Sequence, residues 1–119
     1  MNRFVQIPVA NLYKQLPKLK FQIRSGNLRV CITHQGKLIG FLVPLKDSNQ
    51  LPQLSDNSIK FSKFKKFRPR TIALIAKYQE VVRISFNKRT IFLFVSGRLQ
   101  NHLDLPLIGD PNLVIRGAS

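Results

Sequence analysis

Two apolar runs that meet at a glycine turn constrain this chain more than any other feature. In "VCITHQGKLIGFLVPL", Val30 to Leu45, a two-residue turn at Gln35-Gly36 sets His34 against Lys37, Ile32 against Ile39 and Val30 against Phe41. Just upstream, Leu28 falls against Val43. The last three pairs are apolar throughout and share one face of an antiparallel hairpin. A slip of one residue destroys that agreement, because strand side chains alternate with a period of two. Gly36 supplies the positive φ that such a turn requires.

A similar stretch, "VRISFNKRTIFLFV", spans Val82 to Val95. A turn at Asn87-Lys88 sets Ile84 against Ile91 and Val82 against Leu93. Val81, Phe92 and Phe94 make the other face apolar too, which predicts cover on both sides. At a constant offset of fifty-two, Val30, Ile32, Thr33, Lys37, Ile39, Phe41 and Val43 match Val82, Ile84, Ser85, Arg89, Ile91, Leu93 and Val95. Two readings stay open: a degenerate second copy, or two hairpins that share alternation by chance.

Around the hairpins the chain reads as α+β. Phe4 to Ile7 alternates as a short strand, and "VANLYKQLPKLKFQIRSG" follows Pro8. Leu12, Leu16, Leu19 and Ile23 share one helical face, with Lys14, Lys18 and Arg24 largely on the other. Pro17 predicts a kink, or a helix that restarts there. Ser25-Gly26 ends it. Residues 47–58 are polar and turn-forming, a linker between a unit at 1–46 and a second at 59–103. The second opens on "KFSKFKKFRPR", six basic residues in eleven, with Phe61, Phe64 and Phe67 every third position. That spacing predicts a basic helix with an aromatic stripe, ended near Arg68 by Pro69, the stripe either packed on the core beneath snorkelling basic side chains or exposed. Residues 104–119 read as an extended tail in which "NLVIRG" is a candidate edge strand.

A chain of 119 residues fits one domain, or two very small ones sharing a core. Its 20 Lys and Arg against five Asp and Glu give a net charge of +15, which attracts polyanions, whether nucleic acid or anionic lipid. Cys31 is the only cysteine and falls within a strand, a buried thiol suited to a reducing cytosol. The start lacks the apolar core of a signal peptide and no run is long enough to span a bilayer, so the expectation is a cytoplasmic protein without membrane partners. His34 and His102 stand sixty-eight residues apart, and no cysteine or carboxylate cluster has metal-ligand spacing. Phosphate-binding glycine loops and nucleophile motifs are missing as well. A non-enzymatic protein without cofactor or metal is expected.

The order of strand, "VANLYKQL" helix and "SGNLRVCITHQGKLIGFLVPL" hairpin resembles the N-terminal domain of the Phd/YefM antitoxin family, over residues 3–46. Leu16, Ser25, Gly26, Val30, Ile32, Thr33, Gly36, Lys37, Leu42, Val43, Pro44 and Leu45 carry the resemblance. It implies an intertwined α+β dimer on a palindromic operator, with a C-terminal segment that blocks a toxin. It also implies DNA contacts from the residue before the hairpin Gly-Lys and from the first helix. By position these fall on His34 and Gln35, where the family commonly has Arg, and near Tyr13 and Lys14. The second half departs from the family, being long, basic and strand-forming where a toxin-binding tail is short and often acidic. A homodimer and a single-chain pseudo-dimer are both compatible with the sequence.

Nucleic-acid binding is therefore the leading expectation. Arg3, Lys14, Lys18, Lys37, Lys63, Lys65, Lys66, Arg68 and Arg70 are candidate phosphate contacts. Asn11, His34 and Gln35 are candidates for base edges, although Asn11 also fits a helix start. Exposed Phe residues in the basic segment would stack on unpaired bases. Three functions follow in order: a DNA-binding repressor or antitoxin-like regulator, an RNA- or ribonucleoprotein-binding subunit, and a protein that only binds a toxin.

Overall fold

Both hairpin turns form where the sequence places them. In the computed structural model, which describes residues 3–51 and 57–103, Gln35 and Gly36 take φ values of 53° and 79°. Asn87 and Lys88 take 51° and 66°. Two consecutive left-handed residues twist a hairpin in the sense its strands already have. At Lys88 a side chain accepts a conformation usually left to glycine.

The strands around these turns join into one six-stranded sheet. Strand β1 covers Arg3–Pro8, helix α1 Val9–Arg24, β2 Leu28–His34 and β3 Lys37–Pro44, followed by a 3-10 turn at Leu45–Gln50. Then come β4 at Ser58–Lys60, α2 at Phe61–Phe64, α3 at Pro69–Tyr78, β5 at Val81–Phe86 and β6 at Arg89–Ser96. A second 3-10 turn occupies Gly97–His102. The order across the sheet is β1-β2-β3-β6-β5-β4, with β1–β2 and β4–β5 parallel and the remaining pairs antiparallel.

The central pair carries an internal symmetry. Leu42 faces Phe94, Phe41 faces Val95 and Val43 faces Leu93 across β3 and β6. Leu42 and Phe94 are fifty-two residues apart, so this pair maps onto itself under the sequence offset, and the pairs flanking it exchange. A pseudo-two-fold axis therefore passes between Leu42 and Phe94. The turns, the 3-10 segments and the irregularities at Ile32/Thr33 and Ile84/Ser85 all obey the same offset.

Those irregularities correct the expected register. Thr33 faces Leu38, but Ile32 then faces Gly40, Cys31 faces Phe41 and Val30 faces Leu42. Ile39 is an extra residue, and Ile91 is its counterpart, since Ser85 faces Thr90 while Ile84 faces Phe92. The bulges turn Ile39 and Ile91 onto the helix side of the sheet, where both join the core. Beyond the bulge every pair moves by one. Phe92 and Phe94 accordingly lie on the helix side with Val82, and only Val81 of the expected second face lies opposite. Gly40 belongs to this arrangement: a Cβ there would come within 2.6 Å of the Phe94 ring.

Each face of the sheet has its own cover. Leu12, Leu16 and Ile23 of α1, Phe61 and Phe64 of α2, and Ile72 and Ala76 of α3 pack on one side. Cys31, Phe41, Val43, Val81, Leu93 and Val95 pack on the other beneath Leu51, Leu99 and Leu103. Pro17 neither kinks α1 into two helices nor restarts it; it lies on the exposed side of the helix, as does Tyr13, whose carbonyl it deprives of the usual N–H partner. Its counterpart at the same offset, Pro69, does divide the second half. Leu16, before Pro17, is anchored in the core, whereas Arg68, before Pro69, is exposed and extended at φ −73° and ψ 157°. The expected single basic helix is thus one turn, α2, and Pro69 begins α3 as its first residue. The segment expected as a linker starts inside the first 3-10 turn and ends at β4, and the tail with its candidate edge strand lies outside the described residues.

One buried ion pair breaks the symmetry. Arg29 donates from Nε to Oδ2 of Asp47 and from Nη2 to Oδ1, each at 2.6 Å, with both side chains buried. Its Nη1 finds no acceptor among the described residues. At the same offset the second half has Val81 and Leu99, both buried. An apolar pair therefore fits this environment, and removing one charge strands the other. Asp47→Leu alone is expected to cost about 3–5 kcal/mol in urea unfolding, and Arg29→Val with Asp47→Leu to recover most of it.

Candidate nucleic-acid interface

The parallel pairing of β1 with β2 brings a helix start to each hairpin turn. Pro8 ends β1 beside Thr33, so the first residues of α1 lie next to the turn at Gln35-Gly36. Asn11 is half-buried in that first turn of helix; the cap position is Pro8, which offers no side-chain hydrogen bond, so Asn11 is not a cap. His34 is half-buried, while Gln35 and Lys37 are exposed. Lys14 and Lys18 extend the same site along the outer side of α1, with Lys14 Nζ 5.8 Å from the Tyr13 ring centroid. Arg3 belongs elsewhere, since it opens β1 opposite Leu28, at the end of the strand remote from this turn.

The second end repeats this plan with other residues. Lys60 ends β4 beside Ser85, and α2 starts next to the turn at Asn87-Lys88. Lys63 is exposed on α2, Lys66 and Arg68 are exposed between α2 and α3, and Arg70 is exposed at the start of α3. Lys65 is half-buried, its Nζ 5.9 Å from the Phe61 ring. Apart from Arg3, the expected contacts thus fall into two groups, one at each end of the sheet. Of the two surroundings open to the aromatic stripe the structure has the core: Phe61 and Phe64 are buried and Phe67 packs against them, so stacking of bases on these rings is the reading that falls.

Sequence reasoning overlooked Lys20, Lys60, Lys88 and Arg89. Lys88 and Arg89 are the fifty-two-residue counterparts of Gly36 and Lys37, so the repeat itself carried the signal. Lys20, on the last turns of α1, reaches the second end and places Nζ 3.9 Å from the Phe86 ring centroid and 4.8 Å from that of Phe61. Each turn stands five strand steps beyond the symmetry axis, Val30 to Gln35 on one side and Val82 to Asn87 on the other, so at about 3.4 Å per step the two turns are on the order of 35 Å apart. The described residues extend 38 Å along their longest axis, which accommodates that span.

Negative charge does little to offset this surface. Asp47 is consumed by Arg29, which leaves Glu80 as the exposed carboxylate among the described residues. Those residues contain no group of three His, Cys, Asp or Glu able to hold a metal ion, and no helix long and apolar enough to cross a membrane. No family model, curated protein or solved structure matches the chain.

Cys31 is fully buried in β2, on the face of the sheet away from the helices. Burial pushes its thiol from 9.0 up to about 12, because the thiolate loses its hydration. A thiolate fraction reduced about a thousandfold near neutral pH leaves no nucleophile. The native thiol is expected to stay unreactive toward a disulfide reagent at pH 8, and to titrate fully once the chain is unfolded; rapid native labelling would contradict its burial.

Proposed function

We propose that the chain is a non-enzymatic, cytoplasmic nucleic-acid-binding protein. Its leading target is double-stranded DNA, bound as a transcriptional repressor or antitoxin-like regulator of Phd/YefM type. The order β1-α1-β2-β3 supports the N-terminal part of that reading, and the register symmetry supports a second, degenerate copy in the same chain. In such a single-chain pseudo-dimer, β3 and β6 pair where two separate subunits would meet, so the chain binds as a monomer.

The observation that carries this reading is the pair of basic ends held on one continuous sheet. A separation on the order of 35 Å equals one turn of B-form DNA, the interval at which a two-fold reader meets successive major grooves. Lys14, Lys18 and Lys37 at one end, and Lys63, Lys66 and Arg70 at the other, then neutralise phosphates on the same side of a duplex. Gln35 and Asn87 head the two turns and supply side-chain amides for base edges.

A second reading, RNA or ribonucleoprotein binding, is favoured by one feature: Phe86 is 38% exposed beside Lys60 and Lys88. Titration with duplex DNA and with structured RNA at two salt concentrations ranks the two. Binding is expected to weaken steeply as salt rises, and reversal of Lys63, Lys66 and Arg70 to Glu to lower the slope of log affinity against log salt by about 0.9 per lost contact. Uniform loss across sequences is the expected pattern. Failure to bind either polymer at low salt would remove the proposal.

A further inference from the structure

The two ends of the sheet share a plan but not a surface. Beside the second turn, Lys60, Ser62, Phe86, Asn87 and Lys88 line a cleft of about 320 Å³ over the edge of Phe61. Fifty-two residues earlier the corresponding positions are Pro8, Ala10, His34, Gln35 and Gly36. The first end therefore has neither the two ammonium groups nor the benzene ring. Backbone symmetry alone does not require the difference, because both ends are built by the same strand pairing.

Phe86 is the unusual member. It ends β5 at the tip of a hairpin, where a large apolar side chain gains little from burial. The ring is nevertheless held in place. It meets Phe61 edge-on, with centroids 6.4 Å apart and planes at 84°, and Lys20 lies 3.9 Å from its centroid. Lys20 covers one face of this ring, so a flat aromatic ring that carries a phosphate is received on the other, between Lys60 and Lys88. The volume lies at the low end of small-molecule pockets, room for one nucleotide and not for a stacked base pair.

We infer that this cleft is a nucleotide site, in which an unstacked base rests against Phe86 and its phosphate lies between Lys60 and Lys88. Ser62 and Asn87 are the hydrogen-bonding groups at its rim. The inference rests on the nucleic-acid reading above and specifies it: the second end takes an unpaired nucleotide while the first does not. The same chemistry is presented by a bulged residue in a polymer and by a free mononucleotide.

The test uses the full chain with three probes: a labelled flush duplex, the same duplex with one unpaired adenosine, and AMP. The bulged duplex is expected to bind about tenfold tighter than the flush one, the contribution of a single base stacked on an aromatic side chain. Phe86→Leu brings that ratio close to one, with the fold checked by thermal unfolding, and Phe21→Leu, an exposed ring outside the cleft, leaves it unchanged. AMP is expected to shift the backbone amides of 60–62 and 85–88 saturably. A preference for the bulge without an AMP response supports the cleft with a polymer as its ligand, and the reverse supports it with a free nucleotide. Equal affinity for both duplexes together with no AMP response overturns the cleft, and leaves nucleic-acid binding standing if the flush duplex still binds. If no duplex binds, that reading falls and the AMP arm alone decides the cleft.

Discussion

Everything in this molecule hangs from the pairing of β3 with β6. That pairing joins two half-sheets, each of which has one hairpin and one short parallel strand and is too small to cover its own apolar surface. The helices then tie the halves across the axis: α1 contacts β6, and α3 contacts β3. Leu42 and Phe94 occupy the centre, and Gly40 leaves the space that the Phe94 ring needs. Backbone hydrogen bonds set the symmetry, whereas side chains only have to fit within it. This is why the register is symmetric although the sequences of the halves are not.

Freedom from exact side-chain symmetry shows wherever the halves differ. A charged pair, Arg29 with Asp47, and an apolar pair, Val81 with Leu99, occupy equivalent places under the sheet. Two prolines at one offset give a continuous helix in the first half and a broken one in the second, depending on whether the preceding residue is anchored in the core. Gly36 and Lys88 hold the same left-handed turn position. Each contrast is one backbone solution met by two chemistries. At the surface the same latitude produces two unlike basic ends, and the proposed nucleotide cleft depends on that difference.

The charge is distributed in keeping with this division. Apolar residues fill both sides of the sheet, so the many Lys and Arg residues crowd the helix exteriors and the turns. One carboxylate is spent inside the protein and another stands exposed among the described residues, which leaves the surface potential strongly positive. Partial cover by aromatic rings, as at Lys20, holds some of these cations in fixed positions.

Local chemistry made much of the fold legible. The α+β class, both two-residue turns, the buried stripe of α1 and the cover on both faces of the second hairpin follow from residue type and period. Pair register did not follow, because a bulge is a compromise between the turn and the core beyond it, and Ile39 and Ile91 moved to the helix side only when that core existed. Nor did α3, since Pro69 stops one helix and starts another with the same ring. The phenylalanines of the basic segment had two possible surroundings, and contact with Phe94 and Phe92 chose the interior. For the candidate site, the sequence alone determined which residues carry charge. Only the tertiary structure decided that they form two ends, that Lys20 joins the second, and that Arg29 turns inward to Asp47, because those outcomes depend on strands brought together from distant parts of the chain.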